Sequence, residues 1–168
     1  MVRTHRWLVL LFCLTSCPGL LAPLAAQTAP DAQVPIVVVD GKTATGAPTS
    51  FTRADLEAMG ATRVVTHTPW HDGAVTFEGV LGRTLMKRVG AKGDRVAIAA
   101  LDNYTVSVPI ADFEGHGVIF AYALNGRPMS VEEKGPLFLI YPFDAEPAFA
   151  NETYYSRSIW QIARITIE

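Results

Sequence analysis

Residues 95–110 read RVAIAALDNYTVSVPI, and this segment fixes the class of fold. Residues 95–101 and 104–110 are two apolar runs that flank the dipeptide Asp102-Asn103. In the second run, apolar residues alternate with small or polar ones, which is typical of a strand with one buried face. Asp and Asn are common in the tight loops between paired strands. The segment therefore predicts an antiparallel hairpin with a two-residue loop, whose inward residues are Tyr104, Val106, Val108 and Ile110.

Further runs of strand-forming residues lie on both sides of this hairpin. One of them stops at Asn125-Gly126, which is a tight-turn dipeptide. The segment 135–142 is almost wholly apolar, which predicts a central strand. The last run places Ile165 and Ile167 in the core. The predicted strands outside the hairpin are residues 35–39, 61–68, 118–124, 135–142 and 158–167.

Two segments carry the signals of short helices. Thr52 is followed three residues later by Asp55, which resembles a capping box, and Leu56 supplies a buried side. Apolar residues recur with helical spacing over residues 81–89, and Gly90 stands where a left-handed cap ends a helix. The balance of many strands and two or three short helices predicts an α+β domain with a mixed, β-rich sheet.

The first residues have the anatomy of an export signal. Arg3 and Arg6 precede an apolar core, and small residues follow before Gln27. We expect a bacterial signal peptide over residues 1–26, a flexible leader over residues 27–34 and one domain over residues 35–168, in a periplasmic or secreted protein. The residues that end at Cys17 also fit a lipobox, so a lipoprotein anchored through Cys17 remains the alternative.

Composition excludes several classes of function. Cys13 and Cys17 both lie in the expected signal, so the mature domain would have no thiol and no disulfide. Fourteen Lys and Arg against sixteen Asp and Glu give a net charge of −2, and removal of Arg3 and Arg6 lowers it to −4. Without a basic stripe, we expect no nucleic-acid partner. No later apolar run reaches the roughly 20 residues of a membrane helix, so no membrane span is expected.

An ordered set of short motifs follows the first predicted strands. Phe77-Glu78-Gly79-Val80 leads into the helix at residues 81–90, and later segments read LNGRPM at residues 124–129 and KGPL at residues 134–137. Together with the closing residues 160–165, this order and spacing resembles the sulfite-oxidase-type molybdopterin-binding domain superfamily. The resemblance covers roughly residues 35–168 and is strongest to small exported members. It implies the sulfite-oxidase molybdopterin-binding fold and, for an enzyme, a molybdopterin-dependent oxidoreductase.

The sequence departs from that family at the metal ligand. The resemblance implies a cysteine thiolate upstream of the Gly79-Val80 element, but residues 66–72 read THTPWHD and contain none. Thiolate is a soft ligand that Thr and His do not replace for a high-valent oxo-metal. Arg3 and Arg6 are also not adjacent, so the signal lacks the twin-arginine pair of carriers exported with a bound cofactor. We therefore predict the fold without bound molybdenum and name no catalytic or metal-binding residue.

Three candidate ligand-binding residues lie near the place of the missing ligand and in the hairpin loop. Trp70 can stack on a flat ring or fill the space that a cofactor occupies in the family. His71 titrates near neutral pH. His67 and His71 have the spacing of a helical zinc pair, but Pro69 between them argues against a helix. Asn103 is a turn residue whose place in a binding cleft is implied only by the resemblance.

Four further candidates lie on the last two predicted strands. Lys134 opens the strand at residues 135–142 and Tyr141 ends it, whereas Arg157 enters the closing strand and Trp160 follows. If the strands pair, a cation, a phenol and an indole converge at one rim that suits an anion or a planar ligand. The alternative is a surface Lys, a core Trp and an Arg with an acidic partner.

These observations support two classes of function. The first is a ligand-binding or protein-interaction module, without a cofactor, for a small anionic or heterocyclic ligand or for an extracytoplasmic sensor or redox protein. The alternative is a periplasmic oxidoreductase, or a subunit of one, that holds molybdopterin through Lys134, Arg157 and Asn103 without a cysteine ligand. A purely structural role, with Trp70 filling the cleft, is a third reading.

Overall fold

The computed structural model describes residues 34–168, so the expected signal peptide and residues 27–33 of the expected leader lie outside the described residues. No helix within that range is long and apolar enough to cross a membrane. The strands are β1 (Pro35–Gly41), β2 (Thr49–Thr52), β3 (Thr62–Thr68), β4 (His71–Leu81), β5 (Arg95–Ala100), β6 (Thr105–Pro109), β7 (Ile119–Leu124), β8 (Arg127–Pro128), β9 (Phe138–Ile140) and β10 (Ile162–Ile167). The helices are α1 (Arg53–Ala58), α2 (Gly82–Val89) and α3 (Glu152–Arg157), and 3₁₀ turns lie at Ile110–Phe113 and Pro147–Phe149.

The strands form two sheets that share one core. The first sheet has the order β2-β1-β10-β5-β6, with β1 parallel to β10 and the other pairs antiparallel. The second has the order β3-β4-β7-β8, and β9 also pairs with β7. Phe120 and Tyr122 of β7 pack into the core between the sheets, whereas Ile119 and Ala121 pack into a smaller cluster on the opposite face. The apolar run of β7 is unbroken because this strand is buried on both faces. The prediction of an α+β fold with a mixed sheet is confirmed.

The helix signals are confirmed at both predicted positions. Thr52 caps α1: its hydroxyl accepts from the Asp55 amide at 3.1 Å, and the Asp55 carboxylate accepts from the Thr52 amide at 2.8 Å. Leu56 is the buried residue of α1. Gly90 ends α2 with φ 61°, a left-handed conformation that glycine adopts without a steric cost.

The Gly79-Val80 element depends on a close approach between two strands. Gly79 lies in β4 opposite Ala121 of β7, at a register shift between Glu78 and Gly79. A Cβ atom at Gly79 would collide with the Phe120 carbonyl oxygen. Glycine is therefore required here because the backbone of β7 occupies the space of a side chain.

The tip of the opening hairpin differs from the prediction. Asn103 donates its amide to the Ala100 carbonyl at 3.1 Å and has φ 68°, and the Ala100 amide donates to the Tyr104 carbonyl at 2.9 Å. This is a three-residue loop in which the third residue is left-handed. Tyr104 does not face the core as predicted: it is 58% exposed and precedes the first residue of β6.

Two predicted strands were placed wrongly, and three strands and one helix were not predicted: β2, β4, β8 and α3. The segment 135–142 is not a central strand: only β9 forms there, at the edge of its sheet, and it is buried because residues 159–162 cover it. Arg157 does not enter the closing strand but ends α3, a helix that the sequence analysis did not predict. Strand β4 was also missed, because its amino-terminal half is polar and exposed.

Candidate functional site

A cleft of about 650 Å³ opens at the end of the first sheet. Four segments line it: the β3–β4 turn, the hairpin tip at residues 100–104, helix α3 and the segment 158–161 that precedes β10. Its walls carry the rings of Trp70, Tyr155 and Trp160, and we call it the aromatic cleft. Its volume lies in the range of small-molecule sites, roughly 300–1,000 Å³.

Trp70 is the central ring of this wall. Its ring centroid lies 5.3 Å from that of Phe138, 5.6 Å from that of Trp160 and 6.2 Å from that of Tyr155. The side chain is half-buried and packs against both hydrophobic clusters. Trp70 therefore supports the core and also presents part of its surface to the cleft, where tilted aromatic walls can hold a flat ring.

Lys134 and Trp160 come together as the sequence suggested. The Lys134 Nζ atom lies 4.5 Å from the centroid of the Trp160 ring, which is a cation–π contact. Lys134 has φ 73°, and its carbonyl accepts from the Gln161 amide at 3.1 Å. Lys134 itself is not among the residues that line the cleft.

Tyr141 and Arg157 meet at Asp112 rather than with Lys134 and Trp160 at one rim, and neither lines the cleft. Tyr141 Oη donates to Asp112 Oδ2 at 2.7 Å, and Arg157 Nη1 donates to the same oxygen at 2.8 Å. Tyr141 is completely buried, and burial together with the Asp112 hydrogen bond raises the pKa of its phenol. These residues lie apart from the rim because Tyr141 faces the main core and Arg157 lies at the end of α3.

His71 opens β4 and is held on one side of its ring. Its Nδ1 lies 2.8 Å from Thr68 Oγ1, and the ring packs edge-on against Phe77 with centroids 5.5 Å apart. Burial, with a smaller contribution from the charge of Lys134, lowers the pKa of His71. The imidazole is therefore neutral over a wider pH range than a free histidine.

His67 is not a partner of His71. Its Nδ1 lies 2.8 Å from Asp144 Oδ2, on a different side of the β3–β4 turn. Hydrogen bonds from the His67 ring lower the pKa of Asp144. Within residues 34–168, no three His, Cys, Asp or Glu side chains are grouped as metal ligands.

Asn103 serves the hairpin turn, and the residues beside it reach the cleft. Asp102 and Tyr104 line the cleft, and Asp102 Oδ1 accepts from the Tyr104 amide at 2.9 Å. Glu152, at the start of α3, supplies a second carboxylate. No Lys or Arg is among the cleft-lining residues of the described chain. The charged side chains of the lining are therefore the carboxylates of Asp102 and Glu152.

Sequence reasoning missed the contribution of α3. Tyr155, Ser156 and Glu152 line the cleft, but the sequence analysis predicted no helix at these residues. A signal was present: Asn151 is a good N-cap residue, and its side chain accepts from the Thr153 amide at 3.0 Å. The six-residue helix is too short for a hydrophobic period to show it.

The family model described as the oxidoreductase molybdopterin binding domain matches residues 37–145, more than half of the chain. The chain belongs to this family. The resemblance drawn from the Gly79-Val80 element and the LNGRPM turn is therefore confirmed. No curated protein matches the sequence.

A solved structure supports the same fold. The chain is similar to the sulfane dehydrogenase SoxCD from Paracoccus pantotrophus, with a TM-score of 0.57 and 18% identity, over 78% of this chain. The match covers 37% of the SoxCD chain, so this protein spans well under half of that chain's length. At this identity the likeness shows the fold alone.

Residues 66–72, where the resemblance implies the metal ligand, supply no thiolate for a molybdenum centre. Thr66, within β3, is completely buried; its Oγ1 accepts from the Asp144 amide at 3.1 Å and donates to the His67 carbonyl oxygen at 3.2 Å. Residues 34–168 contain no cysteine. The available donors near this place are hydroxyl, imidazole and carboxylate groups, none of which is the equivalent of a thiolate for a high-valent metal.

Proposed function

We propose that this chain is a binding module that takes a planar heterocycle in the aromatic cleft and does not use molybdenum. The observation that carries the proposal is the wall formed by Trp70, Tyr155 and Trp160 around about 650 Å³. Rings set at steep angles to one another offer one face and several edges to a flat ligand. Ser156, Ser158 and Gln161 supply hydrogen-bonding groups beside the rings.

The charge of the lining selects between the two ligand chemistries expected from the sequence. Asp102 and Glu152 are the charged residues of the cleft lining. Two carboxylates repel an anion and attract a cation, and the nearest cation named above, Lys134, is directed onto the Trp160 ring. A neutral or cationic heterocycle therefore suits the cleft better than an anion.

Calorimetric titration with three planar probes tests this proposal. Proflavine is a cation, riboflavin is neutral and flavin mononucleotide adds a phosphate to the riboflavin ring. We expect proflavine and riboflavin to bind and flavin mononucleotide to bind least. Trp70→Ala should remove binding, whereas Glu152→Gln should weaken proflavine and leave riboflavin unchanged. Binding that is tightest for flavin mononucleotide, or unaffected by Trp70→Ala for all three probes, contradicts the proposal.

Membership of the family favours one alternative, an oxidoreductase or oxidoreductase subunit that holds molybdopterin without a cysteine ligand. Of the three side chains named for that role, Arg157 is engaged with Asp112, and Asn103 lies outside the cleft lining. The alternative predicts extractable pterin and metal in purified protein, and loss of both in Arg157→Ala. Metal analysis and pterin extraction of protein prepared with molybdate separate it from the binding module.

We further propose that the domain works outside the cytoplasm, in the periplasm or secreted, and that an extracytoplasmic sensor or redox protein is its protein partner. The proposal rests on the signal-like residues 1–26. Cell fractionation and mass spectrometry of the isolated chain test it. An amino-terminus at Gln27 supports secretion, acylated Cys17 supports the lipoprotein alternative, and an uncleaved cytoplasmic chain contradicts both.

A further inference from the structure

A second cleft of about 530 Å³ lies between the start of β1, the hairpin tip and the segment that follows β8. Its walls are apolar, and we call it the proline cleft; they include Pro35, Leu101, Pro128, Met129, Val131 and Pro136. Leu101 is 52% exposed and Val131 47% exposed, so two large aliphatic side chains stand open at its rim. Apolar walls of this kind suit the hydrocarbon part of a small ligand.

Two buried donors in this cleft have no acceptor among the described residues. Tyr122, on β7, is only 2% exposed, and its Oη makes no hydrogen bond within residues 34–168. The Nε atom of Arg53 is also buried without a hydrogen bond. Its nearest carboxylate oxygen, on Glu57, is 3.5 Å away, which is too long for a good hydrogen bond. A buried donor without a partner is costly, so native proteins rarely leave one unpaired.

Both donors need a hydrogen-bond acceptor, which a ligand in the cleft can supply. Tyr122 and Arg53 both line the proline cleft. Burial raises the pKa of Tyr122 to about 12, so its hydroxyl keeps its proton and donates at neutral pH. A guanidinium adds positive charge to the donor pair. The group that satisfies a phenol and a guanidinium together is a carboxylate, because it has two acceptor oxygens and a negative charge.

We propose that the proline cleft binds an aliphatic carboxylate, with its head group on Arg53 and Tyr122 and its hydrocarbon chain along Pro35, Met129 and Val131. The site is separate from the aromatic cleft, so this inference does not depend on the function proposed above. Glu57 competes with the ligand for Arg53, because it already lies beside the guanidinium. The ligand carboxylate therefore binds against the repulsion of two carboxylates, Glu57 and Glu78, whose charges also act on the Tyr122 phenol.

Calorimetric titration of the purified protein with octanoate tests the proposal. Octyltrimethylammonium, which has the same tail and a cationic head, is the control ligand. We expect saturable binding of octanoate and at least tenfold weaker binding of the cation. Tyr122→Phe keeps the ring and removes only the unpaired hydroxyl, so it should fold normally and weaken octanoate binding about tenfold, which is the loss of one charge-assisted hydrogen bond.

Two further variants test whether the positive charge of Arg53 contributes to octanoate binding. Arg53→Gln should weaken octanoate binding, and Glu57→Gln should strengthen it. Equal binding of the two ligands would mean that the tail alone is recognised, and it overturns the proposal. An unchanged octanoate affinity in both Tyr122→Phe and Arg53→Gln also overturns it, as does the absence of saturable octanoate binding.

Discussion

Asp112 is the shared acceptor that connects the core to helix α3, and its removal gives the sharpest test of the structure. Its Oδ2 accepts from Tyr141 at 2.7 Å and from Arg157 at 2.8 Å, and only 11% of its side chain is exposed. Asp112→Ala leaves a completely buried phenol hydroxyl without an acceptor, which costs about 1–3 kcal/mol. It also leaves the Arg157 guanidinium, 23% exposed, without its partner. We expect a total loss of about 3–5 kcal/mol in the free energy of unfolding.

Urea unfolding followed by tryptophan fluorescence measures this loss as a lower midpoint at an unchanged slope. Tyr141→Phe is the matched control: it should cost about 1–2 kcal/mol, because Asp112 keeps Arg157. The double variant Asp112→Ala with Tyr141→Phe should cost less than the sum of the two, since no hydroxyl is left unpaired. A loss below about 1 kcal/mol for Asp112→Ala, or strict additivity in the double variant, refutes the shared-acceptor arrangement.

The same variant tests how α3 positions the aromatic cleft. Arg157 is the last residue of α3, and Tyr155 of the same helix lines the cleft. Asp112→Ala should therefore weaken proflavine binding, whereas Tyr141→Phe, which retains the Asp112–Arg157 ion pair, should leave that affinity nearly unchanged. Equal affinities in the two variants mean that this ion pair does not hold the cleft wall.

Four other changes have expected outcomes of their own. Trp70→Ala should lower the free energy of unfolding by about 2 kcal/mol in thermal unfolding, less than a fully buried tryptophan, because its ring is half-buried. Gly79→Ala should lose several kcal/mol or fail to fold, since the new Cβ meets the backbone at Phe120; wild-type stability contradicts this. The pKa of Tyr122 is raised from 10.0 to about 12, so its contribution to stability is complete below pH 10 and is lost between pH 10 and about 12. The urea midpoint should therefore fall over this pH range, and Tyr122→Phe should make that fall smaller. The pKa of His71 is lowered from 6.5, so its contribution to stability is complete above pH 6.5 and is lost as the pH falls further. His71→Gln should therefore make the loss of stability at acidic pH smaller. An unchanged dependence of the urea midpoint on pH contradicts this prediction.

Local signals in the sequence predicted much of the fold. The capping box at Thr52, the glycine cap at Gly90 and the apolar run of β7 each depend on residues within one turn or one strand, and the structure contains all three. The strand predicted at residues 135–142 failed for a related reason. An apolar run indicates that a segment is buried but not what buries it. In β9 the burial comes from the covering residues 159–162 rather than from strands on both sides.

The candidate site was predictable only in part. Trp70 and Trp160 were chosen for their aromatic character, and both line the cleft. Arg157 was expected at the same rim because it was taken to enter the closing strand, whereas it ends helix α3 and donates to Asp112. The role of Asp112 had no local signal, because its partners lie 29 and 45 residues away along the chain.

The sequence by itself determined the class of fold, its turns and caps, the resemblance to a family and the lack of a thiol at the family's ligand position. These properties follow from residue type and from spacing over a few residues, so they do not depend on contacts between distant parts of the chain. The tertiary structure decided which side chains meet: three aromatic rings around an acidic cleft, a carboxylate shared by Tyr141 and Arg157, and two unpaired donors in the proline cleft. Such groupings depend on the path of the chain between distant residues, because each partner is brought into place by a different strand or helix.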